Sequence, residues 1–312
     1  MQPIRPGFTG VFTALVTPMR PQDGDENTAL ASDASPRIDE RALAQLVEQQ
    51  IEGGVSGLVA CGTTGEAATM SAAEQERVIR IVTEAAARRV PVLAGIGSPS
   101  TAQSIELGRA ALRVGVQGLL AVTPYYNRPP QEGLLQHFRA IAKLGAPVML
   151  YNVPARTGCD LLPDTVARLC ELPEVVSLKE ATGSVGRTDA ILRKVGDRLT
   201  VLSGEDAINY PLYAVGASGT VSVVSNVAPR LTADIYAAHL AGDAARALAL
   251  HRRFVPLAEA LFSEPNPIPT KAALAMMYGS AMAQALRLPL VPMSEAGQAK
   301  LRALLLEMEL VR

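Results

Sequence analysis

The stretch Val175-Val176-Ser177-Leu178-Lys179-Glu180-Ala181-Thr182-Gly183 is a short apolar run that ends in a lysine and a turn. Its aliphatic and β-branched residues predict a buried strand, and the Thr-Gly pair predicts the turn that follows. In an α/β barrel the carboxyl ends of the strands face the active site, which would place Lys179 there. Two interpretations fit this strand alone: a solvated lysine at the strand end, or an amine nucleophile that forms a Schiff base with a carbonyl.

Short apolar runs alternate with helical patterns on both sides of this stretch, which is typical of βαβ units and a parallel sheet. The predicted strands are residues 11–17, 57–61, 92–96, 118–122, 148–152, 175–179, 199–203 and 220–223. Each is followed by a helical pattern, without the reversal signal of an open doubly wound sheet. Eight such units predict an α/β fold, a closed (β/α)8 TIM barrel.

From about residue 229 the strand signals stop, and helical periodicity covers residues 232–240, 243–262, 270–286 and 294–306. We therefore expect a catalytic barrel over residues 1–240 and a C-terminal all-helical domain over 241–312. Three prolines within residues 265–269 predict a stiff connector that excludes helix, and we assign it no chemistry. A polar insertion at 23–35 predicts an exposed loop whose purpose the sequence does not reveal.

Composition and charge exclude several classes of protein. The 312 residues carry 29 basic and 30 acidic side chains, a net charge of −1, so no field would attract nucleic acid or an anionic membrane. The three cysteines and three histidines lack metal-ligand spacing, so we interpret most of them as packing or surface residues. No apolar run has the length of a signal peptide or a spanning helix. We expect a soluble cytoplasmic protein without a metal.

A second candidate feature follows the second predicted strand. In Gly62-Thr63-Thr64-Gly65-Glu66, two glycines flank two threonines. Such a turn can aim backbone N–H groups and hydroxyls into one concavity suited to a carboxylate. The other interpretation is a helix start with a threonine cap.

Three of the seven tyrosines end consecutive predicted strands. Tyr125 and Tyr126 follow the fourth strand, and Tyr151 belongs to the end of the fifth. They either plug the barrel mouth or move protons on and off a carbinolamine and an enamine. Arg156, five residues after Tyr151, is either a surface cation or a planar fork for a substrate carboxylate.

Taken together these motifs resemble a known family over nearly the whole chain. The matching stretches are 62–66, 125–129, 151–158, 179–183 and 264–269. They are similar to the dihydrodipicolinate synthase (4-hydroxy-tetrahydrodipicolinate synthase) family, which belongs with N-acetylneuraminate lyase to the pyruvate-dependent class I aldolases. The resemblance implies a lyase of lysine biosynthesis through diaminopimelate, a homotetramer built from tight dimers, that condenses pyruvate with L-aspartate 4-semialdehyde.

The resemblance also implies four catalytic residues. Lys179 would condense with the ketone of pyruvate, and Thr63, Tyr126 and Tyr151 would relay protons, with Tyr126 reaching into the adjoining subunit. A lysine with an ordinary pKa of about 10.4 is only about 0.1% free amine near a pH of about 7.4, so an apolar strand and Arg156 would have to lower that pKa. Because the covalent intermediate supplies the electron sink, the chemistry requires no metal, flavin or nicotinamide cofactor.

Four further positions match the family's substrate-binding residues. Thr64 and neighbouring turn amides would hold the carboxylate of pyruvate, and Arg156 would hold that of the semialdehyde. Gly204 and Val221 would line the pyruvate pocket with backbone atoms.

One departure from the family concerns regulation. Members that lysine inhibits carry polar, acidic or imidazole groups at positions that match Ala67, Ala72, Gln75, Pro99 and Gln103 here, whereas Tyr125 is kept. Without a carboxylate at Gln103 an ammonium ligand has little to pair with, so we expect weak or absent feedback by lysine.

Two other functions remain as alternatives. A pyruvate-dependent sugar-acid aldolase, of the N-acetylneuraminate lyase or 2-keto-3-deoxygluconate type, would need hydroxyl-binding groups where Arg156 stands. A non-catalytic barrel that senses pyruvate or serves as a scaffold would not need the full set of catalytic groups.

Overall fold

Eight parallel strands pair with their chain neighbours and close into a barrel, because the first strand also pairs with the last. The structure, a computed structural model, describes residues 7–21 and 35–311. The strands are β1 (Gly10–Ala14), β2 (Gly57–Ala60), β3 (Val92–Gly95), β4 (Gly118–Val122), β5 (Val148–Asn152), β6 (Val175–Glu180), β7 (Thr200–Ser203) and β8 (Gly219–Ser222). The predicted (β/α)8 barrel is therefore confirmed.

Helices follow the strands and cover the outside of the barrel. They are α1 (Glu40–Glu52), α2 (Ala72–Ala86), α3 (Thr101–Val114), α4 (Gln131–Ala142), α5 (Pro154–Thr157), α6 (Pro163–Leu169), α7 (Val185–Val195), α8 (Asn209–Ala214) and α9 (Pro229–Leu240). Local signals set their starts: Ser71 and Glu74 form a capping box before α2, and Pro163 opens α6, where its missing N–H is not needed.

The apolar core has two parts. One lies between the helices and the outer face of the strands. The other fills the barrel and includes Phe12, Val59, Leu93, Leu120, Met149, Tyr151, Leu202 and Val221. Because strand residues alternate between the two faces, every second residue of β5 and β6 points into the barrel, Tyr151 and Lys179 among them.

The polar insertion lies almost entirely outside the described residues. On its two sides, Met19–Arg20 and Arg37–Ile38 form a two-residue antiparallel ribbon, which the sequence did not predict. Two residues on each side are too short for a recognisable alternation.

The C-terminal region is helical, as expected, but its third predicted helix was wrong at both ends. The helices are α10 (Ala244–Leu261), α11 (Ile268–Tyr278) and α12 (Glu295–Glu307). Pro269 does not exclude helix, because it occupies the first turn of α11, where proline is tolerated. Gly279, with φ of +60°, ends α11 well before Leu286, the last residue of the predicted helix. The proposed domain boundary after residue 240 falls between α9 and α10 and stays a prediction.

A buried ion pair connects this region to the barrel. The Lys271 amine on α11 donates to the Glu66 carboxylate, and both side chains are almost completely buried. The second Glu66 oxygen accepts the backbone N–H of Arg287 at 3.2 Å. The Arg287 guanidinium in turn pairs with Glu74 at 2.5 Å. Since each charge has a partner, the tail and the β2–α2 segment are joined by a paired network.

Replacing Lys271 by methionine should destabilise the fold by about 3–5 kcal/mol, because the Glu66 carboxylate would stay buried without its counter-charge. Chemical denaturation of the variant measures the change in unfolding free energy. Lys271→Met combined with Glu66→Gln should recover most of the loss. As a matched control, Lys194→Met breaks the exposed pair with Asp164 and should change stability little. A loss for Lys271→Met no larger than that of the control would contradict the assignment.

Candidate functional site

Lys179 lies inside the carboxyl end of β6, where the strand prediction placed it. Its side chain is 5% exposed, and Nζ lies 4.3 Å from the centre of the Tyr151 ring. The contact follows from strand register, because Tyr151 on β5 pairs directly with Lys179. A buried lysine excludes the solvated strand end that the sequence left open.

The surroundings of Lys179 favour its neutral form. Burial lowers its pKa from the ordinary value to about 8, and the positive charge of Arg156 acts in the same direction. The negative charges of Asp206 and Glu205 oppose this shift. At pH 7 about a tenth of such amines are free, against about 0.03% for an unperturbed lysine.

Two carboxylates near Lys179 are not among the residues that the sequence predicted for the site. Glu205 and Asp206 follow the carboxyl end of β7, the position that the barrel rule already associates with the site. Asp206 is buried and accepts the backbone N–H groups of Val223 and Val224 at 2.8 and 3.0 Å. The Ser203-Gly204-Glu205-Asp206 pattern, polar residues directly after an apolar strand, was the signal that would have found them.

Tyr151 is buried and remains a phenol near neutral pH. Burial raises its pKa to about 12, while Arg156 and a hydrogen bond with the Thr63 side chain partly oppose the shift. The Thr63 side chain therefore lies close enough to the Tyr151 phenol to lower its pKa, and the Tyr151 ring contacts the Lys179 amine. A protonated phenol in contact with a second hydroxyl can pass a proton in either direction.

The turn that carries Thr64 is tight, but its glycines do not supply the left-handed conformations. Those belong to Cys61, with φ of +55°, and Glu66, with φ of +57°. The N–H groups of Gly65 and Glu66 donate back within the turn at 3.1 Å, so the remaining donors for a ligand include those of Thr63 and Thr64. A non-glycine residue with a left-handed backbone conformation is strained, so contacts around the turn must hold Cys61 and Glu66 in that conformation.

A cavity of about 360 Å³ opens beside the turn. Its wall includes Thr63, Tyr125, Tyr151, Val153 and Arg156, and Gln75 and Gln103 also line it. Arg156 is exposed on the short helix α5, where its guanidinium can meet an incoming ligand. Lys179 and Thr64 are buried and do not belong to the lining, although Lys179 contacts the lining residue Tyr151.

The remaining predicted residues separate into two groups. Gly204 and Val221 lie inside the barrel mouth: Gly204 packs against the Lys179 side chain, and Val221 is 1% exposed in the interior core that also contains Tyr151. Tyr126, in contrast, is 93% exposed with φ of +71°, and its neighbour Tyr125 lines the cavity instead. The predicted role of Tyr126 in an adjoining subunit stays a prediction.

The chain is similar to known proteins along almost its whole length. The sequence profile of the dihydrodipicolinate synthetase family matches residues 7–308. The chain belongs to this family. It is 49% identical over 298 residues to the 4-hydroxy-tetrahydrodipicolinate synthase of Halorhodospira halophila, covering 95% of each chain. It is 50% identical over 291 residues to that of Sorangium cellulosum, covering 93% of this chain and 92% of the relative.

Solved structures of the family share the whole architecture. The chloride-inhibited dihydrodipicolinate synthase of Acinetobacter baumannii, solved in complex with pyruvate, superposes with a TM-score of 0.90 at 41% identity. The match covers 97% of this chain and 99% of that structure. Family membership therefore extends to the C-terminal helices as well as the barrel.

Gly204→Ala should reduce reaction at Lys179 by about 100-fold, because a displaced reacting group loses its alignment. A Cβ at this position would lie 3.1 Å from Cγ and Cε of Lys179 and 2.7 Å from Cβ of Ala181. The measurement is the rate at which borohydride traps a keto-acid adduct on the protein. Gly186→Ala is the matched control, since its Cβ would meet only the Ser184 hydroxyl at 4.0 Å. Equal rates for the two variants would show that Gly204 does not position the amine.

The cavity wall also bears on lysine inhibition. Of the positions compared with lysine-inhibited members, Ala67, Gln75, Gln103 and Tyr125 line the cavity. The Gln103 Oε1 atom accepts the Ser98 hydroxyl at 2.7 Å, and the Gln75 amide donates to the Ala67 carbonyl at 3.0 Å. Within the described residues, none that lines this cavity is acidic.

We therefore expect L-lysine to inhibit weakly or not at all, because an ammonium group in this cavity finds no carboxylate. Titration of purified enzyme with L-lysine at fixed substrate concentrations measures this. Gln103→Glu, which adds one carboxylate to the wall, should be more sensitive than the parent. Inhibition of the parent at sub-millimolar lysine would disprove the expectation.

Proposed function

We propose that this chain is a 4-hydroxy-tetrahydrodipicolinate synthase, a lyase that condenses pyruvate with L-aspartate 4-semialdehyde in lysine biosynthesis through diaminopimelate. The observation that carries the proposal is the Lys179 amine, with a pKa of about 8, in contact with the Tyr151 ring inside a closed barrel. The family, and the names of relatives at 49% and 50% identity, support the same assignment.

In the first half of the reaction, the Lys179 amine attacks the ketone carbon of pyruvate. The resulting carbinolamine loses water to form a protonated imine, and Tyr151 together with Thr63 supplies and removes the protons. The high pKa of Tyr151 suits the donor role, because the phenol holds its proton until an oxygen leaves. Thr64 and the turn amides hold the pyruvate carboxylate, and Gly204 and Val221 shape the space around it.

In the second half, loss of a proton from the methyl carbon converts the imine to an enamine. The enamine carbon attacks the aldehyde of the semialdehyde, whose carboxylate is held by the Arg156 guanidinium on α5. The amino group of the second substrate then adds to the imine carbon and displaces Lys179 as the ring closes. The Lys179 amine is thereby released for another turnover.

A sugar-acid aldolase is the second candidate of the same superfamily. Both reactions begin with the same adduct on Lys179, so the distinction rests on the second substrate. Arg156, exposed at the cavity wall on a four-residue helix, favours an anionic partner over a polyhydroxylated one.

The assembly and location form part of the proposal. A homotetramer of tight dimers is supported by Tyr126, since a tyrosine that is 93% exposed on a loop is suited to contact another subunit. A cytoplasmic location is supported by the three free, buried cysteines. Within the described residues, no helix combines the length and apolarity that crossing a membrane requires.

Reduction of the protein with borohydride in the presence of pyruvate tests the mechanism. We expect one pyruvyl adduct, at Lys179 by peptide mass analysis. Its rate of formation should rise with pH and level off above about 8, whereas the rate for a free lysine peptide should keep rising to about pH 10, because the free amine is the reacting form. Lys179→Arg keeps the charge without the nucleophile and should give no adduct.

Turnover assays separate the candidate functions once the adduct is established. The proposal predicts turnover of pyruvate with L-aspartate 4-semialdehyde and little with N-acetylneuraminate or 2-keto-3-deoxygluconate. An adduct at another lysine would overturn the mechanism. An adduct at Lys179 with turnover of a sugar acid alone would assign the second function.

A further inference from the structure

The proline-rich connector that precedes α11 reaches the candidate site. Asn266 is 6% exposed, and its Nδ2 donates a hydrogen bond to the Thr64 hydroxyl oxygen at 2.9 Å. The two residues are 202 positions apart in the chain. Five residues later, Lys271 pairs with Glu66 in the same turn. One C-terminal segment therefore contacts the turn on both sides of Gly65.

We propose that Asn266 is a positioning residue that orients the Thr64 hydroxyl toward the carboxylate of the keto acid. The inference rests on the proposed function, in which Thr64 binds that carboxylate. Asn266 itself would not touch the reacting atoms. Its effect would pass through the single proton of the Thr64 hydroxyl.

The orientation of Thr64 depends on the hydrogen-bonding capacity of its hydroxyl group. A threonine side chain has one O–H donor and two acceptor lone pairs. Because the Asn266 N–H occupies an acceptor position of Thr64, the hydroxyl proton remains available to another group. A carboxylate is the strongest acceptor that a substrate can bring to this turn, and its bonds to hydroxyl donors are short and strong. An acceptor in place of the Asn266 amide would instead take that proton.

The other end of the Asn266 amide supports a directional role. Its Oδ1 is buried and, among the described residues, has no hydrogen-bond partner. Buried polar atoms in proteins are almost always paired, and an unpaired one is destabilising. A side chain that served only to fill space would be better replaced by an apolar one. The hydrogen bond that this amide donates to Thr64 accounts for a polar residue at this position.

The rigidity of the surroundings allows one amide to set this geometry. Lys271 lies in the first turn of α11, only a few residues from Asn266, so both contacts belong to one stiff unit. The Arg287 backbone N–H also donates to Glu66, at 3.2 Å. These contacts hold Glu66, which is in the strained left-handed region, and with it the end of the turn.

Substitutions at Asn266 and Thr64 test the inference through pyruvate binding. Asn266→Ala should raise the KM for pyruvate about tenfold, as expected for loss of one oriented hydrogen bond, with a smaller effect on kcat. Asn266→Asp should raise it further, because a carboxylate accepts the Thr64 proton and repels the substrate anion. The KM for the second substrate should stay within about twofold in both variants, since Arg156 binds it elsewhere.

A double-mutant cycle distinguishes positioning from general damage. Thr64→Val should weaken pyruvate binding strongly, and adding Asn266→Ala to it should cause little further loss, because the hydroxyl that Asn266 orients is already gone. Thr270→Val is the matched control: it is a buried side chain on α11 whose hydroxyl has no partner among the described residues. Its KM should match the parent, and thermal unfolding of every variant reports structural loss.

Each outcome has a distinct meaning. If the parent forms no pyruvate adduct at Lys179, the proposed function fails before Asn266 is tested. If the parent forms it, an unchanged KM for Asn266→Ala, equal effects of alanine and aspartate, or independent losses in the cycle would overturn the positioning role. A lower unfolding temperature with an unchanged KM would make Asn266 purely structural.

Discussion

The proposed mechanism depends on keeping one amine, that of Lys179, unprotonated inside the closed barrel. Burial inside the barrel lowers the pKa of Lys179, and Arg156 adds repulsion from the cavity side. Asp206 and Glu205 act against both, and the pKa settles at about 8. Such an intermediate pKa would suit the proposed reaction, because an amine with a much lower pKa is a weaker nucleophile. The carboxylates thus limit a shift that burial alone would carry further. Asp206 can do so because two backbone N–H groups fix its position.

The register between β5 and β6 brings Tyr151 next to Lys179. On β5 and β6, Tyr151 faces Lys179 inside the barrel, and the next pair, Asn152 and Glu180, faces the helices. There the Asn152 amide donates to Glu180 at 3.1 Å and to Asp160 at 2.9 Å, and Arg187 pairs with Asp160 at 2.7 Å. A slip of one residue would exchange the two pairs and bury Glu180 in the apolar interior. The polar contacts outside and the aromatic contact inside therefore enforce the same register.

Much of this arrangement could be predicted because it is local. Apolar runs predicted all eight strands, and strand order then placed Lys179 and Tyr151 at one end of a barrel. The left-handed conformations of Cys61 and Glu66 could not be predicted, because glycines stood beside them and offered an easier explanation. The start of α11 was wrong because proline was treated as a breaker, although the first turn of a helix accepts it. Contacts such as Asn266 to Thr64 join residues 202 positions apart, and no periodic pattern records such a pairing.

Part of the site stands on strands and part on a turn, and this difference explains why a barrel enzyme would retain a helical appendage. Lys179 and Tyr151 stand on strands, whose hydrogen-bonded ladder fixes them on both sides. Thr64 stands on a turn after β2, where regular structure has ended and strained residues lie at both ends. A turn of this kind needs contacts from outside the sheet to keep a single conformation. Asn266, Lys271 and Arg287 provide them, and all three come from the segment between α10 and α12. In the proposed mechanism the barrel therefore orients the amine of Lys179, while the helical appendage orients Thr64, the group proposed to bind the substrate carboxylate.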